Sequence, residues 1–198
     1  MARAATRLAA LLAPLAFVPV LGAAQLFEVK GACRDGLPHG AYELRATDGR
    51  LRVAGAFSHG KRTSSFIFWN AAGVRVAHLP YDEGALSGTL VLWYPQPRAN
   101  GEPARRAEAV YTGGQPDGSQ RTWYPSGHPR TELRYERGIL VEAKALSDDG
   151  RTLSASATRQ LAERDADVDG QTVATLERMV EQNLPSCGAN ASRPAGAG

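Results

Sequence analysis

Four kinds of residue in this chain could support chemistry: four histidines, a run of alternating aspartates, two cysteines and three regularly spaced tryptophans. His39, His59, His78 and His128 lie at offsets of +3, −1, +18 and +14 from the nearest of a set of glycines at 36, 60, 84, 114 and 138. No two share an offset, so a metal or catalytic cluster built by that register is not expected, and turn or surface histidine is the expected role. No cysteine pair at zinc spacing, nucleophile elbow or phosphate loop occurs. Without a convergent titratable set the chain reads as non-enzymatic, with no cofactor and no metal centre.

The nearest thing to a metal motif is Asp165-Ala-Asp167-Val-Asp169-Gly170, which imitates the first half of a calcium loop. Its twelfth position is Leu176, and Glu177 comes one residue late. Acidic residues at a helix start explain the run equally well, with Asp169 placed to cap a helix.

Trp69, Trp93 and Trp123 recur at the ends of related segments. Exposed, such a column could stack on sugar rings or anchor a protein partner. Buried, it is core beneath a helix, and this is the expected arrangement, with Trp123 the most open because Arg121 shares its face. Arg106 and Arg130 stand in a second column with Arg52 and Val76, flanked by Glu108 and Glu132. They could dock an acidic partner, although a solvated cross-strand charge ladder is the usual role. Arg98 lies in an insertion, Pro95 to Arg105, expected to be a mobile loop able to carry a contact.

These residues are positioned by a repeat. The glycines at 36, 60, 84, 114 and 138 are spaced by 24, 24, 30 and 24 residues, and the long step contains the insertion. A period in this range marks stacked supersecondary units. Each unit opens on a glycine pair, read as its turn device, and continues into a strand: Ala41 to Arg45, Ser65 to Trp69, Thr89 to Trp93, Ser119 to Trp123. A second turn at Gly49, Gly73 and Gly127 leads to a second strand closing on Phe57, Tyr81, Tyr111 and Tyr135. The second strands alternate with period two, as in a sheet with one buried face. First strands two and three are apolar on both faces, so a cover is needed. Val173, Leu176, Val180 and Leu184 recur at helical spacing and would provide it, with Pro185 ending the helix and an earlier helix running from Ser156 to Arg164. A fifth unit from Gly138 fades, as a capping repeat does.

The pattern Gly-x-Pro-x-Gly, then Trp-Tyr, then Pro-Ser-Gly and a strand ending in Tyr-x-x-Gly, as in Gly114 to Gly138, resembles the MORN-variant repeat of bacterial proteins. That group includes YwqK-like antitoxins. The resemblance covers residues 34 to about 150. It implies an antiparallel β-hairpin array with a binding or scaffolding role, and it is weakest in unit two, where Ser64 replaces the inner glycine.

The chain start reads as a signal peptide over residues 1–24: Arg3 and Arg7, an apolar run from Leu8 to Leu21, then small residues. Its removal takes the formal charge from +3 to +1, too little basic excess for nucleic-acid binding. It also leaves no transmembrane segment. In an exported protein, periplasmic or secreted, Cys33 and Cys187 are expected to pair. The expected organisation is a repeat domain over 25–153, a helical segment over 154–187 and a disordered tail over 188–198. The fold class is mainly β, a hairpin array with a C-terminal α-helix packed on the sheet. The expected partner is an unidentified protein, in an antitoxin-like or immunity-like role. The alternative is a cell-envelope glycan or lipid surface.

Overall fold

A computed structural model describes residues 27–188. The signal-peptide segment and the tail beyond Gly188 lie outside the described residues. Eleven antiparallel strands form one sheet: β1 (Glu28–Arg34), β2 (Leu37–Arg45), β3 (Leu51–Ser58), β4 (Lys61–Trp69), β5 (Arg75–Asp82), β6 (Ala85–Leu86), β7 (Gly88–Pro97), β8 (Pro103–Thr112), β9 (Gln115–Trp123), β10 (Pro129–Glu136) and β11 (Ile139–Ala145). They lie in sequence order from β1 to β11, except that the two-residue β6 pairs only with β5, and β7 continues the path. One helix follows, α1 (Ala155–Glu181).

The two ends of the sheet use different turns. At one end five two-residue loops, Asp35-Gly36, His59-Gly60, Glu83-Gly84, Gly113-Gly114 and Arg137-Gly138, place both residues at positive φ. That is the type I′ combination, whose twist matches the strands it joins. At the other end Gly49, Gly73, Gly101, Gly127 and Gly150 each donate to the carbonyl three residues back. The insertion thus contains the second turn of unit three at Gly101, and it is a strand-paired extension of β7 and β8, with Pro97 opposite Pro103. It is not the expected loop.

The inner glycines are not turn residues, as the paired-glycine reading had them. Gly40, Gly88 and Gly118, and Ser64 in their place, adopt positive φ within strands. Around Gly40, Ser64 and Gly118 the strand register shifts by two residues. A second set of bulges falls on the arginine column. Partners run from Arg45 opposite Leu51 to Leu44 opposite Val53, skipping Arg52, and in the same way skip Val76, Arg106 and Arg130. A bulge re-aims the residue it contains.

The core lies on one face. Tyr42, Leu44, Val53, Phe57, Phe66, Phe68, Leu79 and Leu92 are buried there. Tyr42, Phe57, Phe66 and Tyr81 stack edge to face in series at centroid distances of 5.4, 5.4 and 5.5 Å. Each such pair adds roughly 0.5–1.5 kcal/mol beyond its burial.

Helix α1 covers this face. Its 27 residues extend about 40 Å at 1.5 Å per residue, close to the roughly 43 Å spanned by ten strands about 4.8 Å apart. Ser154, not Asp169, caps it, its Oγ accepting from Ala157 N at 3.3 Å. The two helical segments expected on either side of Asp165 are one continuous helix. Leu161, Ala162, Val173 and Val180 are buried against the sheet, whereas Leu184 lies past the helix end and is exposed. At the far end Tyr42 Oη donates to Asn183 O at 2.9 Å, and burial pushes that phenol up to about 12. Cys33 and Cys187 form the expected disulfide, with Cα atoms 5.6 Å apart.

Candidate binding face

The two faces of the sheet divide the candidate residues. On the helix face, the bulges at 106 and 130 turn both arginines toward α1. Arg130 grips Asp165 with two bonds, Nε to Oδ2 at 2.9 Å and Nη2 to Oδ1 at 2.7 Å. Thr122 Oγ1 also donates to Asp165 at 3.1 Å and lies 2.7 Å from Thr131 Oγ1. Arg106 contacts Asp169. Farther along, Arg62 bonds Glu181 at 2.7 Å and Tyr81 Oη donates to Glu177 at 2.8 Å.

Arg106 and Arg130 are therefore helix-docking residues, contrary to the expected solvated ladder or partner site. The aspartate run is not a calcium loop either. Its backbone is helical, Asp165 and Asp169 point to arginines, and Asp167 accepts from Gln171 at 2.9 Å. Among the described residues no three His, Cys, Asp or Glu side chains are placed to hold a metal. His39 and His59, which share no repeat offset, meet ring to ring at 5.0 Å across neighbouring turns.

The tryptophans occupy the opposite face. In β4, Phe66 and Phe68 point to the core while Ile67 and Trp69 point away from it. The same alternation puts Trp93 and Trp123 on the face without the helix. All three are partly exposed, so the expectation of a column beneath the helix is overturned. The reason is register: the helix covers the face that the second strands also make apolar, not the second apolar face of the first strands.

On this uncovered face the tryptophans alternate with arginines. Directly opposite Trp69, Trp93 and Trp123 stand Arg75, Arg105 and Pro129. The guanidinium of Arg75 lies 4.2 Å from the Trp93 ring centre and that of Arg105 lies 5.5 Å from Trp123. The row across the sheet thus reads Trp69, Arg75, Trp93, Arg105, Trp123, Pro129, with successive tryptophans two strands, or about 9.5 Å, apart. Cation–π contact of this kind stabilises the placement of the Trp93 and Trp123 rings. Arg75 carries no tryptophan-like spacing of its own in the sequence; its signal is its position two residues after Gly73, opposite the end of the preceding strand.

Neither a known protein family nor a curated protein matches this chain.

A second row beside the first is charged. Glu43 pairs with Arg45 at 2.8 Å, Glu108 with Arg105 at 2.6 Å, Glu132 with Arg121 at 3.0 Å and Glu142 with Lys144 at 2.9 Å. His78 Nε2 lies 2.7 Å from Ser65 Oγ, and its pKa is lowered by burial first and by Arg75 next. Beyond Trp123 a hollow of about 400 Å³ opens over β9, β10 and β11. Arg98 is apart from both rows, on the turn beyond β7, with its guanidinium against Gly127.

Proposed function

We propose that this chain is an exported, non-enzymatic repeat scaffold of the MORN-variant type that binds another protein through its uncovered sheet face. The observation carrying this reading is the division of faces. One is covered by a helix held with ion pairs and a disulfide, and the other presents partly exposed tryptophans alternating with arginines beside a row of paired charges. Tryptophan and arginine dominate the energetic centres of protein interfaces, and a charged rim sets register more than affinity. The disulfide is compatible with an oxidising compartment, and no described helix is long and apolar enough to cross a membrane. An immunity-like role against an exported toxin fits such a surface.

The test is a crosslinking pull-down from the native envelope fraction with oxidised protein. A partner is expected at fixed stoichiometry, and its capture is expected to fall at least tenfold with Trp69→Ala/Trp93→Ala. Capture unaffected by that pair of substitutions would sink the assignment to this face.

A further inference from the structure

The row of rings and guanidinium groups is incomplete at one end. Trp69 and Trp93 each face an arginine on the next strand, Arg75 and Arg105, but the corresponding partner of Trp123 is Pro129. Proline carries no guanidinium to continue the row. Arg105 approaches Trp123 from β8, while on the other side, over β10 and β11, the hollow of about 400 Å³ takes the place of a third guanidinium.

The walls of the hollow are Trp123, Arg121, Pro129, Glu132, Lys144 and Leu146. Its floor is strand backbone at Thr122, Thr131 and Ala145, whose side chains are buried on the helix side. The floor is also rigid, because Thr122 bonds both Thr131 and Asp165 of the helix.

We propose that this hollow binds one neutral hexopyranose ring of a glycan. An indole edge and face with nothing stacked on the open side accepts the apolar C–H face of a sugar. The rim supplies both kinds of hydrogen-bonding group: Arg121 and Lys144 donate, Glu132 accepts, and a hydroxyl can do either. The rim is electrically balanced, since Arg121 is paired with Glu132 and Lys144 with Glu142. A neutral polar ring therefore suits it better than an ion. A cationic ligand would meet Arg121 and Lys144 together, and a purely apolar ring would desolvate the rim donors without replacing their partners. The volume falls at the small end of ordinary ligand pockets, room for one ring with its neighbours in solvent. This site does not depend on the protein-partner reading and can exist with or without it.

The experiment titrates the full chain, disulfide intact, with cellotetraose, tetra-N-acetylchitotetraose and mannotetraose, followed by calorimetry and tryptophan fluorescence. At least one is expected to bind saturably, with affinity lowered tenfold or more by Trp123→Ala and equally by Pro129→Arg, while Trp69→Phe leaves it unchanged. Pro129→Arg supplies the missing rung, as at Arg75 and Arg105, so it blocks the hollow with a residue the repeat already accepts there; an unchanged melting midpoint confirms its fold. Absence of binding by all three sugars at millimolar concentration overturns the proposal. So does binding that survives Pro129→Arg, or a hollow that takes free indole and is not competed by any of the sugars.

Discussion

Ser64 shows how one side chain tests the repeat rule. It sits at φ 59° where Gly40, Gly88 and Gly118 also take positive φ, a conformation that costs an L-residue roughly 1–2 kcal/mol. Glycine removes that cost but loses more chain entropy on folding, by roughly 0.5–1 kcal/mol. Ser64→Gly is therefore expected to raise stability by about 0.5 kcal/mol, read as a higher urea midpoint at unchanged slope. Two other glycines give opposite signs. A Cβ on Gly55 would lie 2.6 Å from the Phe66 ring, so Gly55→Ala should cost about 1–3 kcal/mol, the usual range for overpacking. Gly170 lies inside α1 with open space where a Cβ would go. Gly170→Ala should accordingly stabilise by about 1 kcal/mol, measured in the same denaturation series.

At the scale of the element, the helix is held by a polar seam as well as an apolar one. Asp165 accepts from Arg130 and Thr122 and is mostly buried. Asp165→Ala leaves those groups unpaired beneath the helix, and a loss of about 2–3 kcal/mol is expected, since breaking a buried pair costs more than the pair contributes. Asp169 behaves differently. Two influences oppose each other there: burial raises its pKa and the Arg106 contact lowers it, and burial prevails, lifting it from 3.8 to about 6. Between those values the folded state holds a proton that the unfolded chain has released, so this group's contribution to stability rises as pH falls from 6 toward 4 and is lost above 6. Asp169→Asn should match the parent near pH 4 and exceed it at pH 7. Thermal midpoints of both proteins across that range check the sign, and a variant less stable at pH 7 than at pH 4 relative to the parent would contradict it.

For the whole molecule, the disulfide joins residues 154 apart and ties the segment after α1 to the first strand. Pro185 packs onto Gly31 beside it, so closely that a Cβ there would lie 2.5 Å from the proline ring. Cys33→Ser/Cys187→Ser is expected to lower stability by about 3–5 kcal/mol, the loop-entropy scale for a closure of this length. Protease nicking within residues 182–188 should appear before any within the sheet, because the Tyr42 bond to Asn183 and this packing are then what tie the segment to the sheet.

The meander, the turns at the opening glycines and the disulfide partners were legible in the amino-acid order because they are local or arithmetical: glycine supplies the positive φ a tight turn needs, alternation fixes a buried face, and two cysteines leave one intramolecular pairing; the inner glycines, which lie within strands, and the turn at Gly101 were not. The core face was legible for the same reason, from Val53 and Phe57 in unit one to Leu133 in unit four. The place of the tryptophans was not. Ile67 and Trp69 oppose Phe66 and Phe68 in the pleat, both faces read as apolar, and period two cannot say which face a distant helix will cover. Nor could alternation place Arg106 and Arg130. A bulge adds one residue to a strand and turns a side chain that counting assigns to the outside toward the helix. Residue order alone thus carried the meander and one apolar face, whereas the face that the helix leaves open among the described residues came from bulges and from a helix packed against strands distant in the chain.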